Sequence, residues 1–231
     1  MTRLVRGAGI AALVALVAAC AGPVSTGGGG GASTPQPTSR KETKLVRVDR
    51  ATAERLQSVM VPLLKVMNNP LQPSQVKVGI MDDPSLNAAS AGNGEFLVTT
   101  GLLQKASDAE LRGVMAHEIA HQDLNHVQKT QALGTGLTIG MIILDQIIPG
   151  SGNLTPIAGE LLLRRYTRGE EFAADEHGVQ LLQRAGHPGK KVMADTLTWL
   201  QNTTGGSAGG FFATHPATGD RIQAVLNLPG P

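Results

Sequence analysis

An α+β fold, predominantly α with a small β-sheet, is what three features of this sequence predict. Apolar residues recur at helical spacing, short runs alternate at strand spacing, and capping and stop residues bracket the helical windows. Asp49 to Met67 reads as a helix with Leu56, Val59, Met60, Leu63, Leu64 and Met67 as its apolar positions, and Pro62 is placed to kink it. Val76 to Met81 alternates as a short strand, and Phe96 to Thr100, preceded by Gly92-Asn93-Gly94, reads as a second. Ser107-Asp108-Ala109-Glu110 is a capping box that launches a helix through about Lys129. Residues 133–163 read as a helical hairpin, whose second helix runs from about Pro156 to Arg184 before the stop signals Gly186 and Pro188. A further helix, about Pro188 to Gln201, leads into a mobile loop from Gly205 to Gly210, and a short terminal helix follows His215-Pro216.

Composition narrows the class. A formal charge of +2, with no arginine-rich stripe interleaved with aromatics, argues against a nucleic-acid partner. Residues 45–231 suffice for one domain with a real core and are too few for two comfortable ones. Leu133 to Ile148 is apolar, but sixteen residues that include Asp145 make a poor membrane span.

The first 44 residues read differently. Arg3 and Arg6 precede an apolar run from Ala8 to Ala19, so residues 1–19 have the form of a secretory signal. The run Leu16-Val17-Ala18-Ala19-Cys20 resembles the lipobox of bacterial lipoproteins, which implies that Cys20, the sole cysteine, is lipidated and anchors the chain to a membrane. The alternative is an ordinary secretory signal with an incidental cysteine. By the same resemblance, alanine rather than aspartate at position 21 points to the outer membrane. Residues 20–44, with Gly27 to Gly31 and then Pro35 and Pro37, read as a flexible tether; about twenty such residues span roughly 25 Å root-mean-square.

The chemistry sits in His117-Glu118-Ile119-Ala120-His121. Residues four apart share a helix face, so both imidazoles can reach one zinc ion, while Glu118 stands about 100° round, beside the water that such a site activates. Glu118 is therefore the candidate general base. A third ligand is needed. His126, nine residues from His117, falls about 180° round the helix, and His177 and His187 read as isolated loop or surface residues. Glu171 and Asp175 share one face at i, i+4: Glu171 can complete a His₂Glu set, and Asp175 can accept the other ring N–H of a ligating histidine. Glu170 and Glu176 read as a solvated face.

Asn87-Ala88, Gly94, Thr100-Gly101-Leu102-Leu103, Glu110-Leu111, the His117–His121 motif, Arg168, Glu171 to Asp175, Thr214-His215-Pro216 and Arg221-Ile222 together resemble the HtpX/BepA/LoiP-type gluzincins, the zinc metallopeptidase family that includes the CAAX prenyl endopeptidases. The resemblance covers about residues 45–228 and implies a zincin-like domain with one zinc per chain held by His117, His121 and Glu171, Glu118 as base and Asp175 behind the ligands. In BepA-like relatives a histidine at the His215 position is a fourth ligand, implying a latent state; a helix-capping turn is the other reading of Thr214-His215-Pro216. Arg221 either stabilises the oxyanion or pairs with a carboxylate, and the second is favoured.

The resemblance further implies an endopeptidase acting on unfolded or misassembled cell-envelope proteins, lipid-anchored and facing the periplasm. Its polypeptide substrate is expected to lie along Phe96 to Thr100. The alternative is a chaperone-like envelope assembly factor, a partner of assembly machinery, with a latent or vestigial protease site. Two departures stand out: the Ala88 to Gly94 loop lacks the bulky residues of relatives, and neither the helical repeat of BepA-like proteins nor HtpX-like membrane spans can be read in these residues.

Overall fold

In the computed structural model the described residues are 49–127, 142–143, 166–205, 210–216 and 219–230. The expected signal sequence, Cys20 and tether, most of the expected hairpin over 133–163 and residues 206–209 lie outside them. The fold is α+β and predominantly α. Helix α1 (Arg50–Lys65) starts where the Asp49 carboxylate accepts the Thr52 N–H, and Pro62 is accommodated inside it. Its face of Leu56, Val59, Met60, Leu63 and Leu64 is buried, the driving term for docking it on the rest of the domain.

Among the described residues four strands form one sheet in the order β2-β3-β1-β4. Strand β1 (Lys77–Met81) pairs parallel with β3 (Glu95–Thr99), and Lys77 and Glu95, in register, form an ion pair at 3.0 Å. Strand β2 (Ala88–Gly92) pairs antiparallel with β3 through a turn in which Gly92, Asn93 and Gly94 all have positive φ. The register slips between Ser90 and Gly92, a bulge that re-aims the backbone.

Several expectations change here. Ala88–Gly92 is a strand rather than loop, at the edge of the sheet among the described residues; Ala-Ala-Ser-Ala-Gly carries almost no β-propensity, and pairing with β3 imposes the conformation. Strand β3 is interior, flanked by β1 and β2, so it has no free edge for a substrate. Thr100 opens a short helix, α2 (Thr100–Lys105), because the Thr99 hydroxyl accepts the Leu102 N–H as its cap. Strand β4 (Ile142–Ile143) pairs antiparallel with β1, so these two residues are extended, not part of a helical hairpin; paired β-branched residues suit a ladder better than a helix.

Helix α3 (Asp108–Asp123) carries the expected capping box at Ser107 and Glu110 but ends at Asp123, short of Lys129. It is buried on almost every side, packed against α1, β2, α4 (Arg168–Arg184) and α5 (Gly189–Thr204). Gly113 permits this: a Cβ there would meet Thr196 Oγ1 at 2.1 Å. Helix α4 begins at Arg168, not near residue 156, because Thr167 and Glu170 form a second capping box. Short helix α6 (Phe211–Thr214) and helix α7 (Gly219–Leu226) complete the domain. Among the described residues no helix is long and apolar enough to cross a membrane.

Asp123 ties three segments together. Its carboxylate accepts the backbone N–H groups of Asn68 (2.7 Å) and Asn69 (3.0 Å) and lies 2.7 Å from Nε2 of His177. His177, read from the sequence as a loop or surface residue, is buried here. Burial alone would raise the Asp123 carboxyl, but the hydrogen bonds from His177, Asn68 and Asn69 outweigh it and hold it low. The tie is therefore present above the ordinary value of 3.8 and is lost as pH falls through the depressed one. Asp123→Ala leaves these donors without their acceptor and should cost about 2–4 kcal/mol, or roughly 5–15 °C in Tm. Thermal unfolding followed by circular dichroism checks this; a Tm within a degree or two of wild type would contradict it.

Candidate metal centre

The two capping boxes set where α3 and α4 begin, and so which residues face each other where the helices cross. On α3, His117 and His121 project one turn apart toward α4; on α4, Glu171 and Asp175 do the same toward α3. His215, at the end of α6, completes the cluster. Tyr166 fixes that end by donating its backbone N–H to the Thr214 carbonyl at 3.1 Å, and Phe211 stacks on the His215 ring at 4.2 Å.

His117, His121, Glu171 and His215 each offer an electron-pair donor, all within 4.8 Å of one another and all buried. His117 Nε2 lies 3.0 Å from His121 Nε2 and 3.2 Å from His215 Nδ1. Glu171 Oε1 is 3.3 Å from His121 Nε2 and 3.1 Å from His215 Nδ1. Donors 2.0–2.1 Å from a tetrahedral zinc stand about 3.3–3.4 Å apart, so this set fits such an ion in both chemistry and spacing. Lone pairs at these separations repel unless protons or a cation lie between them.

Charge is arranged around the same point. Burial opposes a charge on His117, but Glu171 and Asp175 outweigh it and push its pKa up to about 9. His121 is driven well below its ordinary value, by burial and then by the neighbouring imidazoles against the pull of Glu171. Burial would raise Glu171, yet His215 and His117 hold it low. The cluster thus keeps positive charge beside Glu171, and a divalent cation there would displace a proton from His117.

Behind the donor cluster, Asp175 Oδ1 lies 2.9 Å from His117 Nδ1, where it can orient the ring. Arg221 reaches across from α7 and grips Asp175 through two bonds of 2.7 Å, with its Nη1 also 2.5 Å from Glu171 Oε2. Of the two roles weighed for Arg221, the contacts are those of a carboxylate partner. Burial would lower its pKa, but Asp175 and Glu171 raise it; burial likewise would raise Asp175, which Arg221 and His117 hold low.

Glu118 stands apart from the donor cluster, as its place on the helix requires. Its Oε2 accepts the N–H of Ser90, at the β2 bulge, at 2.8 Å, and its Oε1 is 3.4 Å from His215 Nε2. Burial raises its pKa against the opposing pull of His215 and His117.

Two residues escaped sequence reasoning. His126, placed on the far face by assuming a continuous helix, lies with its Nδ1 2.9 Å from His121 Nδ1, because α3 ends at Asp123 and the chain turns back. The asparagine at 125, a residue type that tolerates the left-handed conformation found there (φ 55°), was the available signal of that turn. Tyr166 stacks on His121 at 3.7 Å, and nothing local announced it. His187 is part-exposed and outside the cluster, Glu176 is exposed, and Glu170 serves as a cap.

The profile described as peptidase family M48 matches residues 50–228. Proteins described as Protease HtpX homolog from Burkholderia mallei (strain SAVP1) and Burkholderia pseudomallei (strain 668) are each 27% identical over 228 aligned positions, covering 78% of this chain and 76% of the relative. A match over this span, with the motif helix, the Glu171 helix and the His215 segment all inside it, makes the chain a member of peptidase family M48.

Proposed function

We propose that this metallopeptidase is a zinc-dependent endopeptidase whose metal is held by His117, His121 and Glu171, with Glu118 as the general base. The convergence of His117 Nε2, His121 Nε2 and Glu171 Oε1, with Glu118 beside them but outside the ligand set, carries the reading. Zinc bound there supplies Lewis acidity and lowers the pKa of a water molecule. The chain's own groups do the rest. Glu118 takes the proton of the attacking water and returns it to the leaving amine, its other oxygen fixed by the Ser90 N–H. Asp175 holds the His117 ring in the tautomer that leaves Nε2 free, and Arg221 keeps Asp175 ionised and in place.

Since β3 is interior, the polypeptide substrate adds instead to β2, the outer strand on that side among the described residues, whose bulge already touches Glu118. Recognition through main-chain hydrogen bonds reads conformation more than sequence, which supports unfolded or misassembled envelope proteins as the substrate class. The lipobox-like run ending at Cys20 supports a lipid-anchored protein at the outer membrane, facing the periplasm, with residues 20–44 as the tether before a domain over 45–231.

The second reading is a latent protease with a role in envelope assembly. His215 Nδ1 sits at the fourth corner of the donor set, where an open catalytic site would keep water, and this favours it.

Two comparisons test these readings. Glu118→Gln should keep the zinc content of wild type and lose at least 10²-fold in cleavage of an unfolded polypeptide, measured with equal zinc loading. Retained cleavage, or a wild type that cuts only one folded target, would count against the proposal. His215→Ala should raise turnover or speed metal exchange if His215 closes the site; unchanged or abolished turnover rejects the latent state.

A further inference from the structure

We propose that His126 is a positioning residue for His121, accepting its Nδ1–H and so holding its Nε2 lone pair on the metal. The proposal rests on the reading of His121 as a metal ligand.

The placement comes from how α3 ends. Leu124 is the C-cap, and Asn125 takes the left-handed conformation with φ 55°. The Asn125 N–H then bonds the Gln122 carbonyl at 3.1 Å and the His126 N–H bonds the His121 carbonyl at 3.0 Å, the paired bonds of a Schellman closure. In that closure the second residue past the cap lies over the residue five before it, and their side chains meet. Commonly that meeting is hydrophobic. Here both side chains are imidazoles, both are buried, and their Nδ1 atoms are 2.9 Å apart. One residue therefore holds the other twice, by main chain and by side chain.

Proton placement follows from donor and acceptor arithmetic. A neutral imidazole that offers Nε2 to a metal must carry its hydrogen on Nδ1. A neighbouring nitrogen at 2.9 Å can then only accept, so His126 is neutral with its hydrogen on Nε2. His117 receives the corresponding support from the Asp175 carboxylate. The two histidines are thus held by different chemistries, a charged acceptor for His117 and a neutral one for His121. Tyr166, stacked on His121 at 3.7 Å, limits ring tilt, leaving the Nδ1 contact to set rotation about the ring axis. Asparagine can place its side-chain oxygen near where histidine Nδ1 lies, so it is the conservative replacement; leucine fills the space without an acceptor.

The test uses the full chain and measures Zn²⁺ affinity by competition with a chromogenic chelator. His126→Leu should weaken zinc binding by about 10–100-fold, the usual effect of losing such a partner. His126→Asn should stay within a few-fold of wild type. Equal affinity of wild type and His126→Leu, or equal loss in both variants, overturns the proposal while leaving the zinc site standing. A wild type that takes up no zinc overturns both. Long-range ¹H–¹⁵N spectra of the zinc-loaded wild type provide a readout that needs no variant. His121 should be protonated at Nδ1 and His126 at Nε2, and a hydrogen on His126 Nδ1 overturns the assignment.

Discussion

Bringing four electron-pair donors together in a water-excluded interior is the constraint on which the rest of this structure depends. Burying Glu171 and Asp175 as ions, and crowding His117, His121 and His215 around one point, is strongly unfavourable unless every charge has a counterpart. The fold meets this with Arg221, a fully buried cation that no solvent competes for, bonded to Asp175 and against Glu171. Helix α7 contributes that guanidinium, so the last helix of the domain is part of the site's electrostatics, although it carries no donor of the cluster.

Holding such a cluster in register requires stiff supports, and α3 provides the central one. It is surrounded by α1, α4, α5 and β2, so its residues have no solvent face along most of its length. Gly113, Ala116 and Ala120 keep it slim enough to be approached from all sides, and Thr196 leaves no room for a side chain at Gly113. The same helix therefore presents different chemistry in different directions: histidines toward α4, Glu118 toward the β2 bulge, and Asp123 toward α1 and His177. Rotation of α3 would disturb all three at once, which is why capping at both of its ends matters to the site.

The ends of helices do much of the positioning. Thr167 and Glu170 decide where α4 starts, and hence that Glu171 falls in its first turn opposite His121. Asn125 ends α3 and swings His126 back over the helix it has just left. The bond from Tyr166 to Thr214 fastens the approach to α4 to the end of α6, which brings His215 in. In each case a short backbone device, worth about 1 kcal/mol by itself, sets the place of a residue used in the cluster.

What the sequence by itself determined was local. The Ser107 and Glu110 box, the four-residue spacing of His117 and His121, and the matching spacing of Glu171 and Asp175 all follow from helical periodicity and nearest-neighbour hydrogen bonding, so they could be read directly. What only the tertiary structure decided were partnerships across long separations and conformations that propensity opposes. Ala88–Gly92 became a strand because β3 offered a ladder, His126 and His177 moved inward because helices ended and packed where they did, and Arg221 found Asp175 from 46 residues away. The physical reason is that burial and pairing energies are set by neighbours in space, and a sequence displays only neighbours along the chain.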